Sequence, residues 1–113
     1  MPRKRVILRL QLFPYESFLM SSWVYIMTNQ RNGTLYVGVT THLARRVKEH
    51  QEGLIEGFTK RYSLKTLVYA EEYATLAEAV WREKAIKAWR RDWKILLIET
   101  HNPGWEDLTG MLI

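Results

Sequence analysis

Two runs of β-branched and aromatic residues on either side of a turn signal constrain the fold more than any other feature of the sequence. Residues 23–27 read Trp-Val-Tyr-Ile-Met, residues 35–39 read Leu-Tyr-Val-Gly-Val, and the polar stretch between them contains Asn32 and Gly33. Residues of this kind favour strands, and Asn-Gly favours a tight turn. The pattern therefore predicts an antiparallel β-hairpin.

The hairpin also predicts how two tyrosines are arranged. A loop with an even number of residues places Tyr25 opposite an even-numbered residue of the second strand. The candidates are Tyr36, Gly38 and Thr40. Because directly opposite residues point to the same face of a sheet, Tyr25 and Tyr36 should share one face. In an ordinary hairpin such tyrosines would simply be packing partners.

The first predicted helix follows the hairpin directly. Thr41 is a suitable N-cap, and Gly53 is a suitable residue just beyond the C-terminus. At about 100° per residue, Arg46 and His50 flank the apolar stripe of this helix. Each also has a simpler interpretation, since Arg46 could lie at a solvated helix edge and His50 could be a hydrogen-bonded structural histidine.

A third strand and two more helices are predicted downstream. Residues 64–73 alternate loosely between apolar and polar, as is typical of a strand. Thr75 and Glu78 form a capping box for a helix that extends to about residue 90, and residues 89–99 continue as helix after a bend. The sequence therefore predicts an α+β fold with a small three-stranded antiparallel sheet and flanking helices.

The length of 113 residues and the 47% content of hydrophobic residues are typical of one soluble domain. Residues 1–20 contain Pro14, and Arg9 interrupts their apolar stretch, so they do not have the pattern of a secretory signal. We expect residues 1–20 to be a leader that packs poorly, either disordered or an over-extended start ahead of Met20. Residues 21–113 are expected to form the single domain.

Glu83 occupies an unusual position in the helix that follows Thr75. It lies about 20° from Leu76 around the helix axis, in the middle of the apolar stripe. Because a buried unpaired carboxylate is strongly unfavourable, Glu83 needs a cation, a hydrogen-bonding network or a metal. Lys87 can supply the cation as an i,i+4 partner, and this pairing does not exclude a metal.

Charge favours an anionic partner, because 17 Lys and Arg against 12 Asp and Glu give a net charge of +5. Lys60 and Arg61 are flanked by Phe58 and Tyr62, and basic residues interleaved with aromatic rings suit a nucleic-acid strand. A second basic cluster, for which a solvated helix face is the alternative, consists of Arg82, Lys84, Lys87, Arg90, Arg91 and Lys94.

Other classes of protein are disfavoured by what the chain contains. It has no cysteine, and its three histidines have spacings unlike those of a zinc site. No apolar run approaches the roughly 20 residues of a membrane-spanning helix. We therefore expect no membrane association and a cytoplasmic location.

The order and spacing of the chemistry-bearing residues resemble the GIY-YIG nuclease superfamily. Tyr36 follows Tyr25 by eleven residues, and Arg46 follows Tyr36 by ten. The ordered set consists of Tyr25, Tyr36, Val37, Gly38, Arg46, His50 and Glu83.

This resemblance covers residues 22 to about 108 and is strongest to the small stand-alone bacterial GIY-YIG proteins. They have a Gly-Phe-Thr-Lys-Arg-Tyr loop, found here at residues 57–62, and an Asn-Pro-x-Trp-x-Asp-Leu ending, found here at residues 102–108. The first signature reads Trp-Val-Tyr at residues 23–25 where the family name implies Gly-Ile-Tyr, although its tyrosine is kept.

The resemblance implies a role for each residue. Tyr25 and Tyr36 would face the scissile phosphate and act jointly as general base, and Arg46 would contact the phosphate. Glu83 would hold one divalent ion, Mg²⁺ or Mn²⁺. The set of candidate catalytic residues is completed by His50, and the candidate nucleic-acid contacts are Lys60, Arg61, Tyr62 and Lys87.

The function implied is that of a metal-dependent endonuclease that hydrolyses DNA phosphodiester bonds in repair or recombination. The alternative is a nucleic-acid-binding module of the same fold with little catalytic power, acting with a partner protein or as a homodimer. A purely structural interaction module is a third hypothesis.

Overall fold

The computed structural model describes residues 21–112 and, in addition, the backbone of Arg5 and Val6. Apart from these two positions, the predicted leader, residues 1–20, lies outside the described residues.

A small antiparallel sheet forms the centre of the molecule, with the strand order β1-β4-β2-β3. Its strands are β1 (Arg5–Val6), β2 (Ser22–Thr28), β3 (Leu35–Thr40) and β4 (Thr66–Tyr73). The predicted three-stranded antiparallel sheet is confirmed in β4, β2 and β3, and β1 adds a two-residue strand along β4.

The hairpin of β2 and β3 has the predicted register. Tyr25 pairs with Gly38, and Met27 pairs with Tyr36, so both tyrosines point to the same face. In the turn, Asn32 has a φ of 55°, a left-handed conformation that asparagine tolerates better than most residues.

A β-bulge interrupts the pairing of β2 with β4. Ile26 pairs with Tyr69, but the next residue, Met27, pairs with Leu67, which leaves Val68 as the extra residue of β4. Val68 and Tyr69 consequently pack on the same face although they are adjacent in sequence. The bulge explains why the apolar pattern of this strand alternates only loosely.

Helices cover both faces of the sheet. They are α1 (Leu43–Gln51), α2 (Phe58–Arg61), α3 (Leu76–Ala88) and α4 (Arg91–His101), followed by a 3₁₀ helix, Leu108–Met111. The predicted capping box of α3 is present, since Thr75 Oγ1 accepts a hydrogen bond from the Glu78 amide and donates one to Glu78 Oε1. None of the helices in this described part of the chain is long and apolar enough to cross a membrane.

The start of α1 differs from the prediction. The N-cap is His42 and not Thr41. The His42 amide donates a hydrogen bond to the Thr40 hydroxyl at 3.0 Å, and this local turn places the start of the helix one residue later than predicted. Gly53 has a φ of 69°, as predicted for the residue that ends the helix.

Two hydrophobic cores lie on opposite faces of the sheet. The first contains Tyr25 and Met27 of β2 and is covered by α1 through Leu43 and Val47. The second contains Val24 and Ile26 of β2 and is covered by α3 and α4 through buried residues that include Ile86 and Ile98. Every residue of β2 is buried, because this strand is packed on both faces.

A charged network lies within the second core. The Glu71 side chain is fully buried and accepts hydrogen bonds from Tyr69 Oη at 2.7 Å, Tyr73 Oη at 3.5 Å and Arg82 Nε at 2.7 Å. Its carboxylate is therefore compensated by one cation and two hydroxyls. We call these four residues the Glu71 network.

Candidate functional site

The position of Tyr25 depends on the glycine opposite it. A Cβ atom added to Gly38 would lie 2.5 Å from both Cζ and Oη of Tyr25, which is closer than carbon and oxygen atoms can approach without displacement. The missing side chain therefore leaves the space in which the phenol ring lies across β3. The Tyr25 ring is completely buried, and its hydroxyl is directed toward α1.

A chain of three buried side chains begins at this hydroxyl. Tyr25 Oη lies 2.8 Å from His50 Nε2, and His50 Nδ1 lies 2.8 Å from Thr59 Oγ1. Both ring nitrogens of His50 thus have a hydrogen-bond partner. We call Tyr25, His50 and Thr59 the Tyr25 relay.

Tyr36 completes an aromatic cluster beside the relay. Its ring centroid lies 6.2 Å from that of Tyr25 and 5.5 Å from that of His50. On its other side Tyr36 contacts Phe58 of α2, with centroids 6.4 Å apart, and Lys87 Nζ lies 5.8 Å from the Tyr36 centroid. Tyr36 is only partly buried and therefore connects the relay to the surface.

The electrostatics of the cluster favour neutral side chains. Burial raises the pKa of Tyr25 well above its ordinary value, the neighbouring Tyr36 raises it further, and the positive charge of Arg46 opposes the shift. Burial and the charge of Arg46 lower the pKa of His50 below 6.5, with Glu49 opposing them. At neutral pH, His50 is therefore neutral, and Tyr25 keeps its proton.

Arg46 lies at the edge of the relay. Its Nε is 3.2 Å from Glu49 Oε1 in an ion pair, yet this buried nitrogen has no partner in hydrogen-bond geometry among the described residues. A buried donor without a hydrogen bond is unfavourable by about 1–3 kcal/mol. The Arg46 side chain as a whole is 35% exposed, so its guanidinium can take an anionic oxygen as an additional partner.

Glu83 is nearly buried, as its position in the sequence predicts, with 12% of its side chain exposed. The predicted partner is confirmed, since Lys87 Nζ lies 3.5 Å from Glu83 Oε1. Lys87 also faces the Tyr36 ring, so it connects Glu83 to the aromatic cluster.

The short helix α2 carries the predicted loop cluster. Phe58 and Tyr62 are exposed and lie with ring centroids 4.8 Å apart, and the guanidinium of Arg61 lies 5.7 Å from the Tyr62 ring. Lys60 forms an ion pair with Glu56 at 2.7 Å. Through the contact of Phe58 with Tyr36, this aromatic and basic surface is continuous with the cluster around the relay.

The second basic cluster predicted from the sequence is dispersed by the fold. Arg82 pairs with Glu71 on the other face of the sheet, and Arg91 donates hydrogen bonds to the carbonyls of Asn32 and Gly33 in the hairpin turn. Lys87 is the member of this cluster that contacts Tyr36. These cations therefore do not form one continuous face.

Neither the burial of Thr59 nor the Glu71 network is predicted by the sequence pattern. Thr59 was part of the recognised loop motif, and its burial beside exposed neighbours is a consequence of tertiary contacts with α1. Glu71 lies next to Glu72 in a predicted strand, and its partner Arg82 lies eleven residues further along the chain. No local pattern marks such a pair.

The donor set fits a hydrated divalent cation held by one carboxylate. Within residues 21–112, no group of three or more His, Asp or Glu side chains could hold a metal ion. Mg²⁺, however, commonly keeps several waters and binds through one or two carboxylates together with substrate oxygens. The Lys87 contact of Glu83 is longer than a strong charge-assisted hydrogen bond of about 2.8 Å and leaves acceptor capacity on the carboxylate.

Comparison with known proteins identifies the class. Residues 21–95 match the profile of the GIY-YIG family, which is described as the GIY-YIG catalytic domain. The match covers most of the chain, including β2, β3, α1, β4 and α3. The chain belongs to the GIY-YIG family.

Two individual proteins are similar to this chain over about two thirds of its length. The chain is 36% identical to the UPF0213 protein SH2523 of Staphylococcus haemolyticus over 77 residues, which are 68% of this chain and 93% of the relative. It is 38% identical to a UPF0213 protein of Staphylococcus aureus over 79 residues, which are 70% of this chain and 95% of the relative.

A solved structure agrees with these matches. The solution NMR structure of the UPF0213 protein BH0048 from Bacillus halodurans superimposes with a TM-score of 0.51 and 27% identity, covering 80% of this chain and 96% of the other. The α+β fold and the similarity to small stand-alone bacterial GIY-YIG proteins predicted from the sequence are confirmed.

Proposed function

We propose that this protein is a metal-dependent endonuclease that hydrolyses DNA phosphodiester bonds during repair or recombination. The observation that carries the proposal is the Tyr25–His50 hydrogen bond of 2.8 Å, buried beside Tyr36 in a core that is otherwise largely apolar. Membership of the GIY-YIG family supports a nuclease reaction. The UPF0213 names of the relatives state no substrate.

The two tyrosines and His50 supply general base catalysis. A tyrosine with a raised pKa does not ionise by itself at neutral pH. Because His50 is neutral and lies within hydrogen-bond distance, the Tyr25 proton passes to Nε2 of His50 while the Tyr25 oxygen takes a proton from the attacking water. The water oxygen then bonds to phosphorus while the bond to the leaving oxygen breaks. The electron pair of that bond stays on the leaving oxygen, which takes a proton from solvent, and His50 later loses its added proton to solvent. Tyr36 orients the water beside Tyr25.

Arg46 and Glu83 manage the charge that develops on the phosphate. The guanidinium of Arg46, whose side chain is 35% exposed, donates to a phosphate oxygen and stabilises it more strongly as negative charge accumulates. Mg²⁺ or Mn²⁺ held by Glu83 would act as a Lewis acid toward the phosphate and the leaving oxygen.

Nucleic acid is bound by the surface next to the cluster. Lys60 and Arg61 neutralise phosphates, Tyr62 offers a ring for stacking, and Lys87 lies beside Tyr36 at the edge of the site. We infer a location in the cytoplasm, where bacterial DNA would be available to a single domain formed by residues 21–113.

Cleavage of a panel of duplex, single-stranded and branched DNA with Mg²⁺ or Mn²⁺ tests the proposal. We expect Tyr25→Phe and Glu83→Gln each to lower the cleavage rate by about 10²-fold or more, because they remove the base and the metal ligand. The matched control is Tyr73→Phe, which removes a phenolic hydroxyl on the other face of the sheet and should keep full activity.

The result that contradicts the proposal is a pure wild-type protein that cuts no DNA of the panel with either metal. If that protein still binds DNA in a salt-dependent way, it is a binding module of the same fold. Undiminished cleavage by the Glu83→Gln variant would refute the assigned metal ligand even for a true nuclease.

A further inference from the structure

Thr59 is the point at which α2 enters the buried site. It is 3% exposed, whereas Phe58, Lys60 and Arg61 of the same four-residue helix are exposed. Its hydroxyl lies 2.8 Å from His50 Nδ1, in a contact that is buried from solvent. Thr59 therefore connects the exposed helix α2 to the buried side chain of His50, a candidate catalytic residue.

The contacts of the relay admit two neutral tautomers of His50. A neutral imidazole has one N–H donor and one nitrogen that accepts. If Nε2 carried the proton, it would donate to Tyr25 Oη, Thr59 would donate to Nδ1, and the Tyr25 proton would turn to the Tyr36 hydroxyl. In that tautomer, Nε2 could not accept the Tyr25 proton.

The other tautomer leaves Nε2 free to accept the Tyr25 proton. In it, Nδ1–H would donate to Thr59 Oγ1, and Nε2 would accept from the Tyr25 hydroxyl. Hydroxyl groups can act as donor or acceptor, and Thr59 is therefore suited to fix the histidine through the ring nitrogen remote from Tyr25.

We propose that Thr59 is a positioning residue that holds His50 in the tautomer with an unprotonated Nε2, the form able to take the proton of Tyr25. This inference rests on the proposed function, because the proton acceptor matters only if Tyr25 acts as a base. Since the exposed residues of α2 are candidate nucleic-acid contacts, a shift of α2 on binding would act on the base through Thr59.

The tautomer can be measured without any nuclease assay. In ¹⁵N-labelled full-length protein near neutral pH, the ring ¹⁵N chemical shifts of His50 distinguish a protonated from an unprotonated nitrogen, and a His50→Gln variant identifies its signals. We expect protonated Nδ1 and unprotonated Nε2 in the wild type. Thr59→Val should increase the Nε2-protonated form, and Thr59→Ser should restore the wild-type pattern.

Kinetics provide the second measurement. Since positioned acid–base groups contribute about 10²- to 10⁴-fold to a rate, we expect Thr59→Val to lower kcat by about 10-fold or more, with a smaller change in KM. The acid limb of the pH profile of kcat should shift, because Thr59 acts on His50 together with the other groups that face it. These groups are Tyr25, Tyr36, Arg46 and Glu49. Thr59→Ser should recover most of the activity.

Thr28→Val is the matched control. Thr28 is a buried threonine whose hydroxyl is hydrogen-bonded to carbonyls in the hairpin turn, at 2.8 Å to Thr34 O. Its loss should lower stability to a similar extent but leave the His50 tautomer and the pH profile of kcat unchanged.

A wild-type spectrum with protonated Nε2 overturns the inference, and so does a Thr59→Val variant with an unchanged His50 tautomer and unchanged kcat. A wild-type protein that shows the expected tautomer but cuts no DNA would instead refute the proposed function. The two failures are therefore distinguishable.

Discussion

The two faces of the sheet each bury a polar cluster that contains tyrosine, and the two clusters differ in how their polar groups are compensated. The Glu71 network contains a full negative charge, balanced by Arg82 at 2.7 Å and by two tyrosine hydroxyls. The Tyr25 relay contains hydroxyls and a neutral imidazole joined by two hydrogen bonds of 2.8 Å. One cluster is compensated by charge, and the other avoids charge.

The difference bears on which cluster is suited to the proposed reaction. In the Glu71 network the carboxylate has several partners, and although burial acts to lower the pKa of Arg82, the hydrogen bond and the charge of Glu71 raise it overall. A proton transfer there would leave a buried charge without its partner. The relay instead borders Arg46, whose Nε has no hydrogen-bond partner among the described residues, and Tyr36, which is partly exposed. Arg46 is therefore suited to an additional anionic partner on this face of the sheet.

Arg82→Met tests the Glu71 network and has the largest expected effect on the free energy of unfolding. It keeps the apolar stem of Arg82 but leaves Glu71 buried without its cation, so unfolding free energy should fall by about 3–5 kcal/mol. Urea denaturation followed by circular dichroism measures this loss.

Combining Arg82→Met with Glu71→Gln should recover much of that loss, because the uncompensated charge is removed. Cleavage per folded molecule should stay near the wild-type level in both variants. A double variant as unstable as the single one would show that Arg82 acts through packing, including its contact with the Trp89 ring at 5.0 Å.

Gly38→Ala tests the Tyr25 relay, because the added methyl group displaces Tyr25. The added methyl group would lie 2.5 Å from the phenol ring, so we expect a loss of about 1–3 kcal/mol of stability together with reduced cleavage. The matched control is Gly110→Ala, because a Cβ at Gly110 meets no atom of the described residues within 4 Å. Equal effects of the two substitutions on cleavage would contradict the role of Gly38 in placing Tyr25.

The alkaline stability of the protein sharpens the comparison further. Burial and then the charge of Glu71 raise the pKa of Tyr73 from 10.0 to about 12. The folded state therefore keeps a proton that the unfolded state loses, and this contribution to stability disappears as the pH rises from about 10 through about 12. Thermal melts across this range should show a smaller loss for Tyr73→Phe than for the wild type.

The stability of the protein at acid pH depends on His50 of the Tyr25 relay. Because the pKa of His50 is lowered, the unfolded state binds a proton more readily, and stability should fall as the pH drops below 6.5 toward the folded-state pKa. Thermal melts of His50→Gln should show a weaker dependence on pH in this range. An acid dependence identical to that of the wild type would mean that other groups control it.

DNA binding should show the smallest change. If Lys60 and Arg61 each contact one phosphate of a duplex, neutralising both should reduce the slope of log K against log salt by about 1.8, from about 0.9 per contact. Fluorescence anisotropy measures this slope at salt concentrations of about 50 to 200 mM, where the affinity of phosphate-binding proteins changes strongly. A flat dependence for the wild type would argue against a nucleic-acid partner.

The sequence predicts the elements whose signals are local. The hairpin, the shared face of Tyr25 and Tyr36, and the Thr75–Glu78 capping box all follow from strand alternation, turn chemistry and capping rules. The near burial of Glu83 follows from helical periodicity. The proposed roles of Tyr25, Tyr36 and Glu83 come from the family resemblance, since no spacing by itself distinguishes a catalytic tyrosine from a packing one.

Features that depend on tertiary contacts were not predictable. The bulge at Val68 is an irregularity that a period of two cannot anticipate, and it decides which face Tyr69 occupies. Thr59 lies on a helix of four residues, too short for any periodicity to show which side is buried. The sequence places Arg82 among several basic residues of a helix, and its partner Glu71 lies on another element. The local pattern therefore predicts a basic helix face instead of a buried ion pair.

The location of Tyr25 on β2 has a consequence for how the candidate site comes apart on heating. This strand lies between β4 and β3, and all seven of its residues are buried. Amide protons of such a strand exchange with solvent mainly when the whole domain opens, whereas the edge strand β3, which carries Tyr36, can fray by itself. Mild heating should thus loosen Tyr36 before Tyr25, and the buried phenol should keep its place until the domain unfolds as a unit.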